Sequence, residues 1–448
     1  MPTPEASQIW SAYLELDRTQ WLDPETIEQQ QLAQLRTLLG HAVRNVPYYR
    51  RLLTAAGIVP DQIRTLDDFR RIPILQRRTY QEQFLYMYAG VLPAGSVQVS
   101  KAHTSGTSGV PVEVLQTNVV ALWWLALTMR DLEWCGVDPR GTMVSIRATG
   151  KSGDTLDRLL QGIAKPSWGS HIAAVIETGS CHAMDIHQDP RRQLELLHRA
   201  EPDYVISFPS NLEFLAGLVV EDGRRIPKLK IIQTIAETLT PETQARIEQA
   251  FGVPVKNTYS CSEAGYMASP CPDGHGLHVH AENVILEVLD ADGRPCPPGT
   301  TGRVVVTTLQ NFLTPFVRYE ILDEAEVGPA RCPCGRGLPL LSRVVGRRHP
   351  MFLLPSGRRK ISTALVIGLR DLGGTHQFQI VQRAADHVAV RVIPNREWSD
   401  EHARRVTRLM HDYFEAPVRV AIESLERFEL PTGGKLRVVV SEIDSPPT

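Results

Sequence analysis

Thr104-Ser105-Gly106-Thr107-Ser108-Gly109-Val110-Pro111 is a run of small hydroxyl side chains and glycines, set between an expected short strand, 97–103, and a long apolar helix, 119–135. Glycine lets the chain approach an anion closely and adopt positive φ, and the hydroxyls add hydrogen-bond donors. Backbone N–H groups in such a loop can curl around phosphate oxygens. An ordinary polar turn has much the same composition, so the octet alone leaves both readings open. The rest of the chain decides between them.

Outward from this loop, the 448 residues are 42% hydrophobic, enough to bury a core and to divide into two or three domains. Lys and Arg total 48 against 50 Asp and Glu, so there is no electrostatic footprint for a nucleic-acid partner. No stretch approaches the roughly 18 apolar residues of a membrane span. Residues 1–10 lack the basic start and apolar core of a signal peptide. Seven cysteines, unevenly spaced, fit a reducing compartment better than a disulfide framework. The expected location is cytoplasmic.

Residues 23–56 read as helical, with Leu32, Leu35, Leu38, Leu39 and Ala42 on one face and a break at Asn45-Val46-Pro47. Beyond the glycine-rich loop, apolar strands at 144–146, 172–176, 204–206 and 230–232 alternate with helices near 156–163, 191–200, 211–220 and 241–251. That alternation implies a mostly parallel sheet covered by helices. From about 277 the texture becomes β-rich, with strands at 278–289, at 302–309 and around Arg318. After Gly346-Arg347 come strands at 377–382 and 387–393, a helix at 400–414 and a final strand. The expected fold class is therefore α/β: a large N-terminal domain, 1–346, with a β subdomain at about 266–345, and a small mobile α+β lid, 347–448. Gly150-Lys151-Ser152 ends like a Walker A loop, but Ser145 stands where that loop requires glycine.

Asn257-Thr258-Tyr259-Ser260-Cys261-Ser262-Glu263-Ala264-Gly265 follows a helix and an expected short strand, 253–255, which sets Tyr259 and Glu263 on a loop at a sheet edge. Open α/β sheets bind ligands at strand ends. A Glu there can hold Mg²⁺ through one oxygen, and a Tyr ring can lie against a base. Alone, the pair would read as a surface carboxylate and a buried ring. Cys332-Pro333-Cys334, with Cys271 and His278 nearby in the β-rich segment, forms a donor set suited to tetrahedral structural Zn²⁺. Free buried thiols are the other reading, and His280 is a substitute ligand.

Together these blocks resemble the adenylate-forming superfamily, and most closely the phenylacetate–coenzyme A ligase family. The octet at 104–111 is similar to that superfamily's phosphate loop, and Ala236-Glu237 to its Gly-Ala-Glu segment. The stretch 259–265 is similar to its Tyr-Gly-x-Ser-Glu block, and Pro315-Phe316-Val317-Arg318-Tyr319 with Asp323 to its Pro-x-x-Arg-Tyr…Asp block. Gly346-Arg347 resembles the hinge, and Gly433-Gly434-Lys435 stands where the C-terminal catalytic Lys is expected. Asn45-Val46-Pro47-Tyr48-Tyr49-Arg50, Gly276-Leu277-His278 and Glu287 match the phenylacetate-ligase branch, some members of which carry a similar Cys/His cluster. The blocks run in the right order from about residue 23 to 440.

The resemblance implies that a carboxylic acid, aromatic or cyclic, reacts with Mg·ATP to give an acyl-adenylate and pyrophosphate, and that coenzyme A then takes the acyl group. Thr104, Ser105, Gly106, Thr107, Ser108 and Gly109 would hold phosphates, and Glu263 would hold Mg²⁺. Tyr259, with Ser260 and Ser262 in its block, would pack on adenine beside Ala236 and Glu237, while Asp323 accepts from the ribose hydroxyls. Arg347 would mark the hinge, and Lys435 would arrive with the lid to neutralise charge at the reacting atoms. The acyl pocket would be walled by 149–182, with Trp168, His171 and His182, and by 207–211.

Three departures qualify this. Val110 replaces the loop's usual Lys, Arg347-Arg348-His349-Pro350 replaces the family's acidic pair at the hinge, and Ser356-Gly357-Arg358-Arg359-Lys360 occupies the place of a Gly-Val-Asn segment. An amine or carrier-protein acceptor, or a nucleotide- or acyl-binding protein that has lost catalysis, are the alternatives these departures raise. A homodimer is left open.

Overall fold

The structure, a computed structural model, describes residues 3–103, 112–147, 162–347, 351–429 and 436–443. The phosphate-loop octet, the segment around Gly150, His349 and Lys435 lie outside these residues. Five helices open the chain: α1 (Pro4–Thr19), α2 (Pro24–Asn45), α3 (Pro47–Ala55), α4 (Leu66–Arg70) and α5 (Arg77–Glu82). The Asp23 carboxylate accepts from the Thr26 N–H at 2.9 Å and starts α2. Pro47 forces Val46 into extended backbone and ends it, which is the break read from the sequence. The α1 helix was not anticipated.

Strands β1 (Gln98–His103) and β2 (Glu113–Thr117) form an antiparallel hairpin, with His103 opposite Glu113 at the ends the octet joins. The Thr117 hydroxyl then caps α6 (Asn118–Trp134), as its position after the loop predicts. Next come β3 (Met143–Arg147), β4 (Ile163–Lys165), α7 (Ser170–Ala173), β5 (Cys181–Asp185), α8 (Pro190–Ala200), β6 (Tyr204–Ser207), α9 (Pro209–Asp222), β7 (Ile231–Thr234), α10 (Pro241–Phe251) and β8 (Val255–Asn257). Their sheet has the order β4-β5-β3-β6-β7-β8, parallel except for β4. Val144, Ile146, Val205 and Ile232 meet Leu197, Leu212, Leu215 and Ile247 in one buried core, so the expected helix-covered α/β layer is present.

Two expectations in this layer fail. The apolar run 172–176 is not a strand: it begins in α7, and Ile172, Val175 and Ile176 pack into side clusters with residues of α1 and α6. The strand is β5, whose mixed residues are held by parallel pairing to β3 and antiparallel pairing to β4. Ile163, expected at a helix end, begins β4.

A seven-stranded antiparallel sheet follows: β9 (Tyr259–Cys261), β10 (Gly265–Pro270), β11 (Leu277–Val279), β12 (Val284–Leu289), β13 (Thr301–Thr308), β14 (Tyr319–Val327) and β15 (Leu340–Arg347). Its order is β12-β13-β14-β15-β11-β10-β9. The single strand expected at 278–289 is broken because the N–H groups of Asn283 and Val284 both turn back to the His280 carbonyl.

Residues beyond the second sheet build their own core. The hairpin β16 (Met351–Leu353) and β17 (Arg359–Ile361) leads to α11 (Thr363–Leu372), then β18 (Thr375–Ala384), β19 (His387–Pro394), α12 (Asp400–Phe414), β20 (Arg419–Ser424) and β21 (Val439–Ser441). Phe352, Leu365, Ile380, Val390, Met410 and Phe414 are buried together there. This α+β unit touches the first sheet's helices through Gln377, which donates to the Ser210 carbonyl at 2.9 Å, and Arg370, which donates to Thr240 at 3.0 Å. Its His376 lies so close to Gly217 that a Cβ there would meet Nδ1 at 2.6 Å. No helix among the described residues is long and apolar enough to cross a membrane.

Candidate active site

The carboxyl end of β7 turns sharply. Ala236 has φ 64°, and Glu237 reaches back so that its Oε2 accepts from the Ser210 N–H, at the start of α9, at 3.0 Å. Helix N-termini favour a carboxylate. Thr238, the next residue, packs under Gly346 at the end of β15: Gly346 has φ +93°, and a Cβ there would come within 2.0 Å of the Thr238 hydroxyl. Only glycine fits that crossing. The crossing brings the 236–238 turn to Asp323, which stands opposite Arg347 in the β14–β15 register.

Asp323 is aimed by an irregular strand. Between the Val305–Glu320 and Arg303–Glu324 pairs, three residues of β14 oppose one of β13, and Leu322 takes φ 68°. Such a bulge redirects a side chain at a functional edge. The Tyr259 hydroxyl donates to Asp323 Oδ2 at 2.9 Å. Four residues earlier on β14, the Tyr319 hydroxyl donates to Glu263 Oε1 at 3.3 Å, and Arg77 donates to the same oxygen at 3.2 Å. Tyr259, Glu263, Asp323 and the Ala236-Glu237 turn are thus linked through β14 and β15.

The strand entering this site is anchored by a buried ion pair. Arg318, at φ 51°, gives Nε and Nη2 to the two oxygens of Glu287 at 2.9 and 3.2 Å, and Nη1 to the carbonyls of Arg70 and Ile72. A fork on a carboxylate fixes both partners in a plane. Beneath the 257–265 stretch, whose Tyr259 lies in strand β9 rather than on the loop expected, Asp131 of α6 accepts from the Thr258 hydroxyl at 2.8 Å. Burial pushes the Asp131 pKa up to about 6, although hydrogen bonds from Ser269 and Thr258 oppose the rise. Ser260 lies opposite Tyr266 in the β9–β10 register, and Ser262 is partly buried. The Cys261 sulfur accepts from the Ala264 N–H at 3.3 Å.

The four cysteine and histidine residues singled out in the sequence do converge. One ligand atom from each of Cys271, His278, Cys332 and Cys334 lies within 4.8 Å of the others. Cys271 and Cys332 sulfurs are 3.8 Å apart, and His278 Nε2 is 3.2 Å from Cys334 Sγ. His278 Nδ1 faces the Leu338 carbonyl at 3.3 Å, which places the proton there and turns Nε2 toward the thiols. Burial lowers the His278 pKa to about 4, so the ring is neutral at pH 7. His280, the substitute ligand, is not in this group: its Nε2 lies 2.9 Å from the Ser269 hydroxyl and its Nδ1 faces Arg130. The chain turns at His280, whose carbonyl accepts from the N–H groups of Asn283 and Val284.

Other expected residues fall elsewhere. Trp168 packs on Tyr204 and donates its indole N–H to the Gly141 carbonyl at 2.9 Å, at the amino ends of β3 and β6, away from the strand ends that carry the site. His171 lines a cavity of about 220 Å³ beside the start of α1. His182 lies within β5. Thr104, Ser105, Gly106, Thr107, Ser108, Gly109 and Lys435 lie outside the described residues, and for Arg347 only the backbone is described. Sequence reasoning missed Arg77, which reads as one half of an exposed Arg-Arg pair, and Asp131, which sits in an apolar helix.

A sequence model of the AMP-binding enzyme family matches residues 102–314. With the strand-end constellation, that match defines the chain as an AMP-binding, adenylate-forming enzyme. The phenylacetate–coenzyme A ligase of Thermus thermophilus is 26% identical over 346 residues, covering 74% of this chain and 73% of the relative. The ligase of the same name from Pseudomonas putida is 27% identical over 350 residues, covering 76% and 74%. A solved 2-hydroxyisobutyryl-CoA ligase, in a postadenylation state with its acyl-adenylate, superposes with a TM-score of 0.73 at 21% identity, over 95% of this chain and 92% of that one. The chain is thus similar to phenylacetate–coenzyme A ligases over about three quarters of its length, and it shares its fold with a solved acyl-CoA ligase.

Proposed function

We propose that the protein is an acid–thiol ligase that activates an aromatic or cyclic carboxylic acid with ATP and passes it to coenzyme A. A carboxylate oxygen of the acid attacks the α-phosphorus, the bond to the bridging oxygen breaks, and pyrophosphate leaves. The coenzyme A thiol then attacks the acyl carbon, the thiol proton goes to solvent, and AMP leaves. The hydrogen bond from Tyr259 to Asp323 carries this reading, because it joins two distant sequence blocks at the edge where a nucleoside would lie.

In this reading Asp323 receives the ribose hydroxyls, and the Tyr259 ring and the Ala236-Glu237 turn flank the base. Residues 104–107 would hold the β- and γ-phosphates. Glu263 fits a magnesium ligand: Arg77 and Tyr319 occupy Oε1, and among the described residues nothing donates to Oε2. Magnesium there would neutralise charge building on the pyrophosphate. Residues 347–448 would act as a lid pivoting near Arg347, and Lys435 would stabilise charge between the acyl oxygen and the α-phosphate. The Cys271, His278, Cys332 and Cys334 set fits structural zinc in donor type and spacing, with a carbonyl orienting the imidazole.

The test is carboxylate-dependent pyrophosphate release over a panel of aromatic and alicyclic acids, run without acceptor, with coenzyme A and with amines. Multiple turnovers only with coenzyme A, and a thioester of the expected mass, support the reading. Turnover that depends on an amine moves the acceptor to amide formation. ATP binding without release for any acid overturns it in favour of a binding protein.

A further inference from the structure

Arg77 reaches Glu263 by way of an added rung on β14. The Leu75 N–H donates to the Arg318 carbonyl at 2.8 Å, and its carbonyl accepts from the Glu320 N–H at 3.0 Å, so the segment before α5 lies alongside Tyr319. Two residues further on, Arg77 Nη1 sits 3.2 Å from Glu263 Oε1, and the Tyr319 hydroxyl donates to that oxygen at 3.3 Å. The Arg77 and Glu263 side chains are only 10% and 7% exposed. Burying a guanidinium is costly unless it is paired and its geometry is good. Both donors use the same oxygen, which holds Oε1 in place, and among the described residues nothing donates to Oε2, which leaves it the one to face a ligand.

We propose that Arg77 is a positioning residue for the reaction above: with Tyr319 it pins Glu263 by Oε1, so that the carboxylate meets the nucleotide's cation through a single oxygen. The inference rests on the nucleotide-site reading. One-oxygen contact suits Mg²⁺, which demands a tight octahedron and keeps its waters, whereas a carboxylate free to turn offers both oxygens and suits the larger Ca²⁺. Arg77 thereby tunes the site toward Mg²⁺. A Lys at this position can still donate to Oε1, whereas a Met fills the space and donates nothing.

The experiment is isothermal titration calorimetry of the full chain with the Mg²⁺ and the Ca²⁺ complexes of a non-hydrolysable ATP analogue. It uses wild type, Arg77→Lys, Arg77→Met and Tyr319→Phe, with a melting temperature for each. Arg77→Met is expected to narrow the Mg²⁺-to-Ca²⁺ affinity ratio about tenfold, as loss of a group that orients a metal ligand does. Tyr319→Phe narrows it less, and Arg77→Lys preserves it. A ratio of two cations on one variant is insensitive to a general loss of stability or nucleotide affinity. If Arg77→Met does not fold, Tyr319→Phe carries the test. A wild type that binds both complexes, with a ratio unmoved in the variants, overturns this inference alone. A wild type that binds neither overturns the nucleotide-site reading and this inference with it.

Discussion

The Tyr259 hydroxyl and the Asp323 carboxylate, 64 positions apart in the chain, are joined by a 2.9 Å hydrogen bond across the edge of the antiparallel sheet. The phenol aims a carboxylate whose own strand is bulged at Leu322, so a hydrogen bond and a bulge together set one acceptor. Hydrogen bonds to charged groups contribute about 1.5–3 kcal/mol. If Asp323 receives the ribose, Tyr259→Phe should raise the KM for ATP about tenfold and leave kcat close to wild type. Steady-state kinetics in ATP checks this, and an unchanged KM would remove the ribose from Asp323.

Arg318 and Glu287 give a prediction of a different kind. Their side chains are each 5% exposed and meet through two hydrogen bonds. Removing one partner of a buried pair strands the other charge, at a cost of about 3–5 kcal/mol. Arg318→Ala and Glu287→Ala should each lower the urea midpoint strongly. The double variant should cost less than the sum, because neither charge is left behind. Additive losses would mean that the two side chains act independently.

Much of this architecture could be read before the structure. The sequence pattern marked α2, α6 and α10, whose ends are sharply capped or broken: Asp23 and Pro47 for α2, Thr117 for α6, Thr240 and Gly252 for α10. Tyr259, Glu263 and Asp323 stood out because each lies in a short local block. The failures come from contacts that no window contains. The strand β5 is a strand through its neighbours β3 and β4, while the more apolar 172–176 packs elsewhere. Arg77 and Glu263 are 186 residues apart, and nothing near either announces the other. His280 left the cysteine group because the chain turns at that residue, which alternation along a strand does not reveal.

The cysteine and histidine group predicts one zinc per chain. Cys271→Ser should abolish the bound metal as measured by elemental analysis and lower the melting temperature, since a structural site contributes folding energy. Cys135→Ser, at a buried cysteine outside the group, should keep the metal. The KM for ATP should be little changed in Cys271→Ser, because the group is spaced from Glu263 along β10 and β11. Metal-free wild-type protein of unaltered stability would leave four reduced thiol and imidazole groups packed without an ion.

Asp131 makes stability depend on pH in a direction that can be worked out. Its carboxyl is fully buried and its pKa rises from 3.8 unfolded to about 6 folded. Below pH 4 the group is protonated in both states and costs nothing. Between pH 4 and 6 the unfolded chain releases the proton while the folded chain keeps it, so stability falls as pH rises. Above pH 6 the loss levels off, at up to about 3 kcal/mol for a shift of this size. Asp131→Asn keeps the shape and an acceptor for Thr258 but carries no charge to bury. It should therefore raise the melting temperature at pH 8 by several degrees and give almost no gain at pH 4. Melting curves of both proteins across that range check the sign. A gain equal at both pH values would trace the effect to packing, and a loss growing toward pH 8 would show that the ionised carboxylate is held by its hydrogen bonds more strongly than burial penalises it.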